Sequence, residues 1–207
     1  MTGRGTSSIR RKPKHRRTRK PALSLEDDTP LDAPTPRMFA WARNSTIYRI
    51  ERRMHTEKQL FDAIARKARE KFEGIGEAQV KALAEAAVTF AYDNKALDDR
   101  TYAEIGSRSG MRSGRSKRAV LQKLSQKGID RETATAAVAG MDDLYAAVVL
   151  ARKRAFGPFR KVELDERRKA KEVSAFARGG FGFEIARQVL AMTREEAEAV
   201  LDAGRHL

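Results

Sequence analysis

The chain has 207 residues and sets 43 Lys and Arg against 28 Asp and Glu, a net charge of +15 that points to a polyanionic partner or neighbour. It contains no cysteine, which excludes disulfides, thiolate metal sites and cysteine nucleophiles and fits a reducing compartment. No apolar run approaches the ~18 residues that span a bilayer, and Ile9 is the only large aliphatic residue ahead of Leu23, too little for the apolar core of a secretory signal.

In chain order, residues 1–35 read as a disordered, basic, proline-rich arm. Its first twenty residues hold nine basic groups and no acid, and eight of these (Arg10, Arg11, Lys12, Lys14, Arg16, Arg17, Arg19 and Lys20) fall within positions 9–21. Residues 21–36 carry four acids and no base, so 37–207 keep the remaining +10. Five of the six prolines lie at 13, 21, 30, 34 and 36, and so few apolar side chains accompany them that burial cannot offset the entropy of ordering. Thr35-Pro36 then supplies a capping hydroxyl and a proline suited to the first helical position.

From there the pattern is helical. Helices are expected at about 37–53, at 57–72 (Leu60, Ile64, Ala68 and Phe72 every fourth position) and at 77–92 (Val80, Leu83, Ala87, Val88, Ala91). Thr56-Glu57-Lys58-Gln59 reads as a capping box. Further helices are expected at about 99–111 and at 142–156, the latter on Leu144, Val148, Ala151 and Ala155. No stretch alternates with a period of two, so the fold class is all-α.

An internal repeat organises these helices. Residues 119–139 align with 171–191 without a gap, pairing Leu124 with Phe176, Gly128 with Gly180, Ile129 with Phe181 and Val138 with Leu190. Each copy reads as a helix, a glycine stop and a second helix, the glycine taking the left-handed conformation just past the helix end. A looser third copy lies at 60–87, with Ile64 in the place of Leu124 and a longer turn. With one helix ahead of each copy, the expectation is an elongated tandem array of three three-helix units, divided at 36–96, 97–141 and 142–207.

Residues 97–103, LDDRTYA, the basic and small residues of 108–114, and KLSQKGI at 123–129 resemble the middle repeat of the RecX regulatory proteins, and ARGGF at 177–181 resembles the turn of their third repeat. The chain departs from the family at Gly114-Arg115-Ser116-Lys117, where a Gly-Pro ahead of a branched apolar residue is frequent. The resemblance implies an all-helical bacterial, cytoplasmic protein, a monomer without cofactor. Such a protein binds the RecA recombinase filament, with its single- or double-stranded DNA, and modulates it, most often by inhibiting ATP turnover, extension and strand exchange.

The residues themselves supply candidate contacts. On the wheel of 115–127, Val120, Leu121 and Leu124 share one arc while Arg115, Arg118, Lys123 and Lys127 occupy the rest. Arg167, Lys171 and Arg178 share one side of the 165–178 helix, and Arg152, Lys153 and Arg154 precede Gly157-Pro158, where cations favour a helix C-terminus. Each alone reads as a solvated face; repeated over two units, they read as a surface for a polyanion or an acidic protein. The arm is expected to add sequence-independent DNA affinity.

Other chemistry is weak. Asp98 and Asp99 suit a helix start better than a catalytic carboxylate pair, since no base, nucleophile or metal partner follows them. GGFG at 179–182 lacks the strand and the Lys-Ser/Thr of a phosphate loop and reads as a turn. Trp41 and Tyr48, at helical spacing, read as core residues, and His15, His55 and His206 are too scattered for a metal or acid–base site. No enzyme is expected; the alternative is a basic helical DNA-binding or nucleoid-associated protein that acts without a recombinase.

Overall fold

The computed structural model describes residues 33–204, which form ten α-helices, one 3-10 turn and, among the described residues, no strand. Helix α1 (Pro36–Ile50) begins at the expected signal: Pro36 takes the first helical position and the Thr35 hydroxyl accepts the Met38 amide. Helix α2 (Glu57–Lys71) opens on the expected capping box, in which the Thr56 hydroxyl accepts the Gln59 amide and Gln59 Oε1 accepts the Thr56 amide, both at 3.2 Å. With α3 (Glu77–Asp93) these helices enclose Leu60, Ile64, Val80 and Leu83, the first bundle's core.

The second bundle consists of α4 (Asp99–Arg112), α5 (Lys117–Gln126) and α6 (Arg131–Ala139). Helix α5 packs so tightly on α4 that a Cβ at Gly110 would lie 2.4 Å from Val120 Cγ2. The third bundle contains α7 (Asp143–Arg154), the 3-10 turn Gly157–Phe159, α8 (Glu166–Arg178) and α9 (Phe183–Ala191). It also holds a fourth helix, α10 (Arg194–Ala203), which the sequence reading did not separate although Thr193 and Glu196 form a second capping box at its start.

The aligned glycines perform the same task. Gly128 and Gly180 have φ of +88° and +84°, close α5 and α8, and are followed by Ile129 and Phe181, both buried. GGFG is therefore a helix–helix turn. The last aligned pair differs: Val138 is buried, whereas Leu190 is half-buried beside fully buried Val189.

Successive bundles meet through a repeated pair of hydrogen bonds. Thr56 Oγ1 donates to the Lys127 carbonyl at 2.6 Å, and Ser116 Oγ donates to the Gly179 carbonyl at 2.8 Å. Both acceptors stand immediately before a left-handed glycine. One residue further on, the Glu57 amide donates to Asp99 at 3.2 Å and the Lys117 amide to Asp143 at 2.6 Å, each aspartate being the first residue of the next bundle's leading helix. The first bundle keeps its own apolar cluster, while a single cluster runs from Ala103 to Leu201 through the second and third.

An internal ion pair anchors the third bundle. The fully buried Glu172 accepts Arg160 Nε and Nη2 at 3.0 and 2.7 Å and the Gly157 amide at 3.1 Å, tying the 3-10 turn to α8. Burial pushes its carboxyl up, but the guanidinium and the amide outweigh burial and hold it below the ordinary glutamate value. Beside it Phe176 meets Phe156 and Phe181 at centroid distances of 6.4 and 5.9 Å.

Stability measurements on three variants follow from these contacts. Glu172→Gln strands the Arg160 guanidinium and is expected to cost about 3 kcal/mol in urea unfolding at pH 7. Because the folded carboxyl titrates below its unfolded value, the parent's advantage is present above the carboxylate range and is lost as pH falls, so the gap between parent and variant narrows below about pH 4. Gly180→Ala places a methyl 2.5 Å from Ser116 Oγ at positive φ and is expected to cost more than about 1 kcal/mol. Gly140→Ala, which meets nothing within 4 Å, is expected to stay within about 0.5 kcal/mol of the parent.

Candidate partner interface

The structure distributes the ten candidate cations of the body over five places: two flanks of α5, the loop ahead of it, the end of α7 and the outer side of α8. On α5, Lys123 and Lys127 line a recess of about 220 Å³ with Met54, Tyr102, Ile105 and Leu124. Arg118 lies on the opposite flank of the same helix, beside Leu121 and Arg131 in a separate hollow. Arg115 is not on α5 at all: it sits in the connection from α4, where its amide donates to the Gly110 carbonyl. The single wheel drawn over 115–127 is thus replaced by two flanks and a loop, because α5 begins at Lys117, after the Ser116 cap, and ends at Gln126. Lys127 is half-buried, its own carbonyl engaged by Thr56.

Arg152, Lys153 and Arg154 form the last turn of α7, as expected, where they face the negative end of the helix dipole. Lys153 Nζ also donates to the Ser113 carbonyl at 3.0 Å, closing the end of α4. On α8, Arg167, Lys171 and Arg178 fall within about 40° of one another on the helical wheel and are exposed, opposite buried Glu172 and Phe176. The Ser116–Gly179 bond brings the backbone of Arg178 alongside that of Arg115, so the joint gathers cations from two bundles.

Ion pairing divides the cations of the body into two groups, and the ten fall together with others such as Arg43, Arg108, Arg112 and Arg131. Among the described residues none of the ten has a carboxylate within ion-pair distance, whereas Lys58, Arg69, Arg100, Arg187 and Arg194 do. Arg160 and Arg168, close to the α8 stripe in sequence, are committed to Glu172 at 2.7 and 3.8 Å. The i,i+4 spacing marks Arg168, but nothing in the local sequence marks Arg160, which reaches its partner across twelve residues. The eight arm residues Arg10, Arg11, Lys12, Lys14, Arg16, Arg17, Arg19 and Lys20 lie outside the described residues, as do His15 and His206.

The remaining candidates resolve into structure. Asp98 caps α4 by accepting the Thr101 amide at 2.9 Å, and the Thr101 hydroxyl and amide hold its carboxyl below the usual range. Asp99, read from the sequence as a helix starter, also reaches across to the first bundle, and burial there raises its pKa. His55 is buried, with Nδ1–H donating to the Arg53 carbonyl at 2.9 Å and Nε2 accepting from Arg53 Nε at 3.3 Å; burial lowers its pKa, and the ring is neutral and structural. Trp41 packs edge-on against Phe72 at 5.1 Å, as a core residue should. Tyr48 does not: it is 54% exposed, and Arg52 stacks over its ring at 4.0 Å. The seven-residue spacing put both on one helix, but α1 turns Ala42, Thr46 and Ile50 to the bundle core and Tyr48 lies on the opposite side. Among the described residues no cluster of His, Asp and Glu is arranged to hold a metal ion, and no single helix is long and apolar enough to cross a membrane.

Comparisons with known proteins accord with this architecture. A family model described as RecX, second three-helix domain, matches residues 98–138, that is, α4 to α6. A regulatory protein RecX of Agrobacterium fabrum (strain C58) is 69% identical over 179 residues, covering 86% of this chain and 97% of that protein. The regulatory protein RecX of Myxococcus xanthus (strain DK1622) is 32% identical over 157 residues, covering 72% and 84%. The crystal structure of RecX from Lactobacillus salivarius superposes with a TM-score of 0.56 at 21% identity, covering 82% of this chain and 99% of that one, a likeness of fold.

Proposed function

The chain belongs to the RecX family of regulatory proteins, and from that membership we propose that it binds the RecA–DNA filament and restrains it, without chemistry of its own. The observation that carries the reading is the set of exposed cations on the second and third bundles that have no carboxylate partner among the described residues. Leaving so many cations unpaired raises the self-repulsion of the folded chain, a cost offset when an anionic surface covers them. A recombinase filament offers both protein and nucleic-acid phosphates along one helical groove. An array of three bundles, taken as units at 36–96, 97–141 and 142–207, can touch successive protomers of such a filament at once. Contacts shared between protomers oppose extension, ATP turnover and strand exchange, and multivalency strengthens them beyond any one contact. The basic arm of residues 1–35 then acts as an auxiliary tether to phosphates through counterion release. The protein would work as a monomer in the bacterial cytoplasm, where recombinase and DNA meet.

A second reading rests on the arm alone: eight cations within thirteen residues suit a DNA-binding or nucleoid-associated protein that needs no recombinase. The ATPase of RecA on saturating single-stranded DNA separates the two. Under the first reading, substoichiometric protein slows hydrolysis although it covers too little of the DNA to explain the effect; under the second, inhibition tracks DNA occupancy alone.

Charge reversal of three or more among Arg115, Arg118, Lys123, Lys127, Arg167 and Lys171 is expected to abolish filament binding in a pelleting assay while circular dichroism stays helical. Unchanged inhibition would place the contact face elsewhere. Deleting residues 1–35 is expected to weaken binding to DNA and to flatten the dependence of log affinity on log salt, while part of the ATPase inhibition persists. Complete loss of inhibition would make the arm the principal contact.

A further inference from the structure

Helix α1 carries an exposed surface that the joints and the proposed filament contacts leave unused. Residues 36–55 hold five arginines, Arg37, Arg43, Arg49, Arg52 and Arg53, against one acid, Glu51. Among the described residues none of the five has a carboxylate within ion-pair distance, whereas Lys58, Arg66 and Lys81 of the same bundle do. Three of the five are engaged within the bundle: Arg43 lies over the Phe90 ring at 5.2 Å, Arg49 Nη1 donates to the Ser45 carbonyl at 2.7 Å, and Arg53 Nε donates to His55 Nε2 at 3.3 Å. Arg37 and Arg52 are exposed, and Arg52 is held by the ring of Tyr48.

These two arginines frame a stripe. At 100° per residue Arg37, Trp41, Asn44 and Tyr48 fall within about 60° of one another, on the side of α1 turned away from Ala42 and Thr46, and Arg52 follows in the turn beyond the helix. From Arg37 to Tyr48 the stripe is about 16 Å long. Tyr48 remains 54% exposed even though a guanidinium covers one face of its ring at 4.0 Å, so its remaining apolar surface stands in water, where a stacking partner would relieve it. Helix α1 exposes no large aliphatic side chain beside that ring, and an apolar peptide finds no seat there. A flat aromatic surface flanked by cations suits a planar heteroaromatic base carried on a phosphate backbone. In a duplex both faces of a base are covered by its neighbours; in a single strand a face is free for the ring.

We propose that the outer stripe of α1 is a binding site for single-stranded nucleic acid, in which an unstacked base lies on Tyr48 and the guanidinium groups of Arg37 and Arg52 hold phosphates on either side of it. Asn44, one turn before Tyr48, is placed to reach the edge of the base. Glu51 stands at the border of the stripe and opposes phosphate there, so the site depends on stacking more than on charge. The first bundle thereby gains a contact that distinguishes single strands from duplex, which the cations of the second and third bundles do not.

Trp41, the only tryptophan of the chain, lies two turns from Tyr48 on the same stripe, and its emission reports on the site. Oligothymidylate added to the full-length protein is expected to quench that emission. Tyr48→Ala is expected to weaken the affinity for oligothymidylate at least about fivefold, while the affinity for a duplex of the same length falls by less than about twofold. Tyr48→Phe, which keeps the ring, is expected to bind within about twofold of the parent. Because the ring lies outside the core, circular dichroism of both variants stays that of the parent. Unchanged affinity of Tyr48→Ala for the single strand would overturn the site, as would an equal loss on single strand and duplex, which would leave only phosphate contact. A loss in Tyr48→Phe as large as in Tyr48→Ala would also overturn it, by assigning the effect to the hydroxyl. No recombinase is present and the cations of the second and third bundles are unaltered, so this outcome is separate from that of filament inhibition.

Discussion

One hydroxyl group at each joint works in two directions, and the array depends on it. Thr56 and Ser116 each accept the third amide of their own helix, which satisfies an orphan donor at the helix start, and each donates its hydrogen to a carbonyl of the next bundle. That carbonyl is available because the glycine behind it turns the chain into the left-handed region, leaving the end of a helix pointing at its neighbour. The adjacent amide completes the joint by docking on an aspartate at the start of the following bundle. Buried polar groups at a junction are costly unless matched, so this pattern selects one orientation of each bundle on the next.

The same logic explains why the pattern stops. The middle helix of the third bundle begins at Asp165, whose carboxylate accepts the Arg168 amide but has no hydrogen to offer a further carbonyl. In place of another joint the third bundle consolidates internally. Glu172 fastens the 3-10 turn to α8, and α10 packs against α7, with Gly204 so close that a Cβ would lie 2.1 Å from the Tyr145 ring. The two joints are also unequal. Across the second a continuous apolar cluster adds to the hydrogen bonds; across the first each bundle keeps its own core. The array is therefore a welded pair of bundles with a third attached by polar contacts, and its most distinctive surface feature, the apolar recess rimmed by lysines, lies at the weaker joint.

Charge is handled differently in different parts of the molecule. On α2 and α3 several cations are matched at helical spacing, as in Lys58–Asp62, Arg66–Glu70 and Lys81–Glu85. Such exposed pairs contribute little stability, on the order of a few tenths of a kcal/mol each, but they neutralise the surface. Over α1, α5, the end of α7 and the outer side of α8 no such pair forms among the described residues. Unmatched cations accelerate encounter with an anionic partner and confer salt dependence more than they confer folded stability.

Much of this was legible in the residues. Helix starts at Thr35-Pro36 and Thr56, the all-helical class, the spacing of the repeat and the turn role of Gly128 and Gly180 all depend on hydrogen bonds and side chains within about four residues, a range over which the sequence is the structure. The missed helix α10 carried the same kind of signal in Thr193 and Glu196. Beyond that range the residues alone were mute. Asp99 and Asp143 look like any helix start, yet they receive amides 42 and 26 positions away; Arg160 and Arg167 look alike, yet one is bound to Glu172 and the other faces water; and Lys123 and Arg118 share a helix but line different hollows. Local chemistry determined what the bricks are. Which polar groups meet between them, and which cations remain free, was decided only when apolar faces came together in three dimensions, because the distance between two charges follows from packing and not from their separation along the chain.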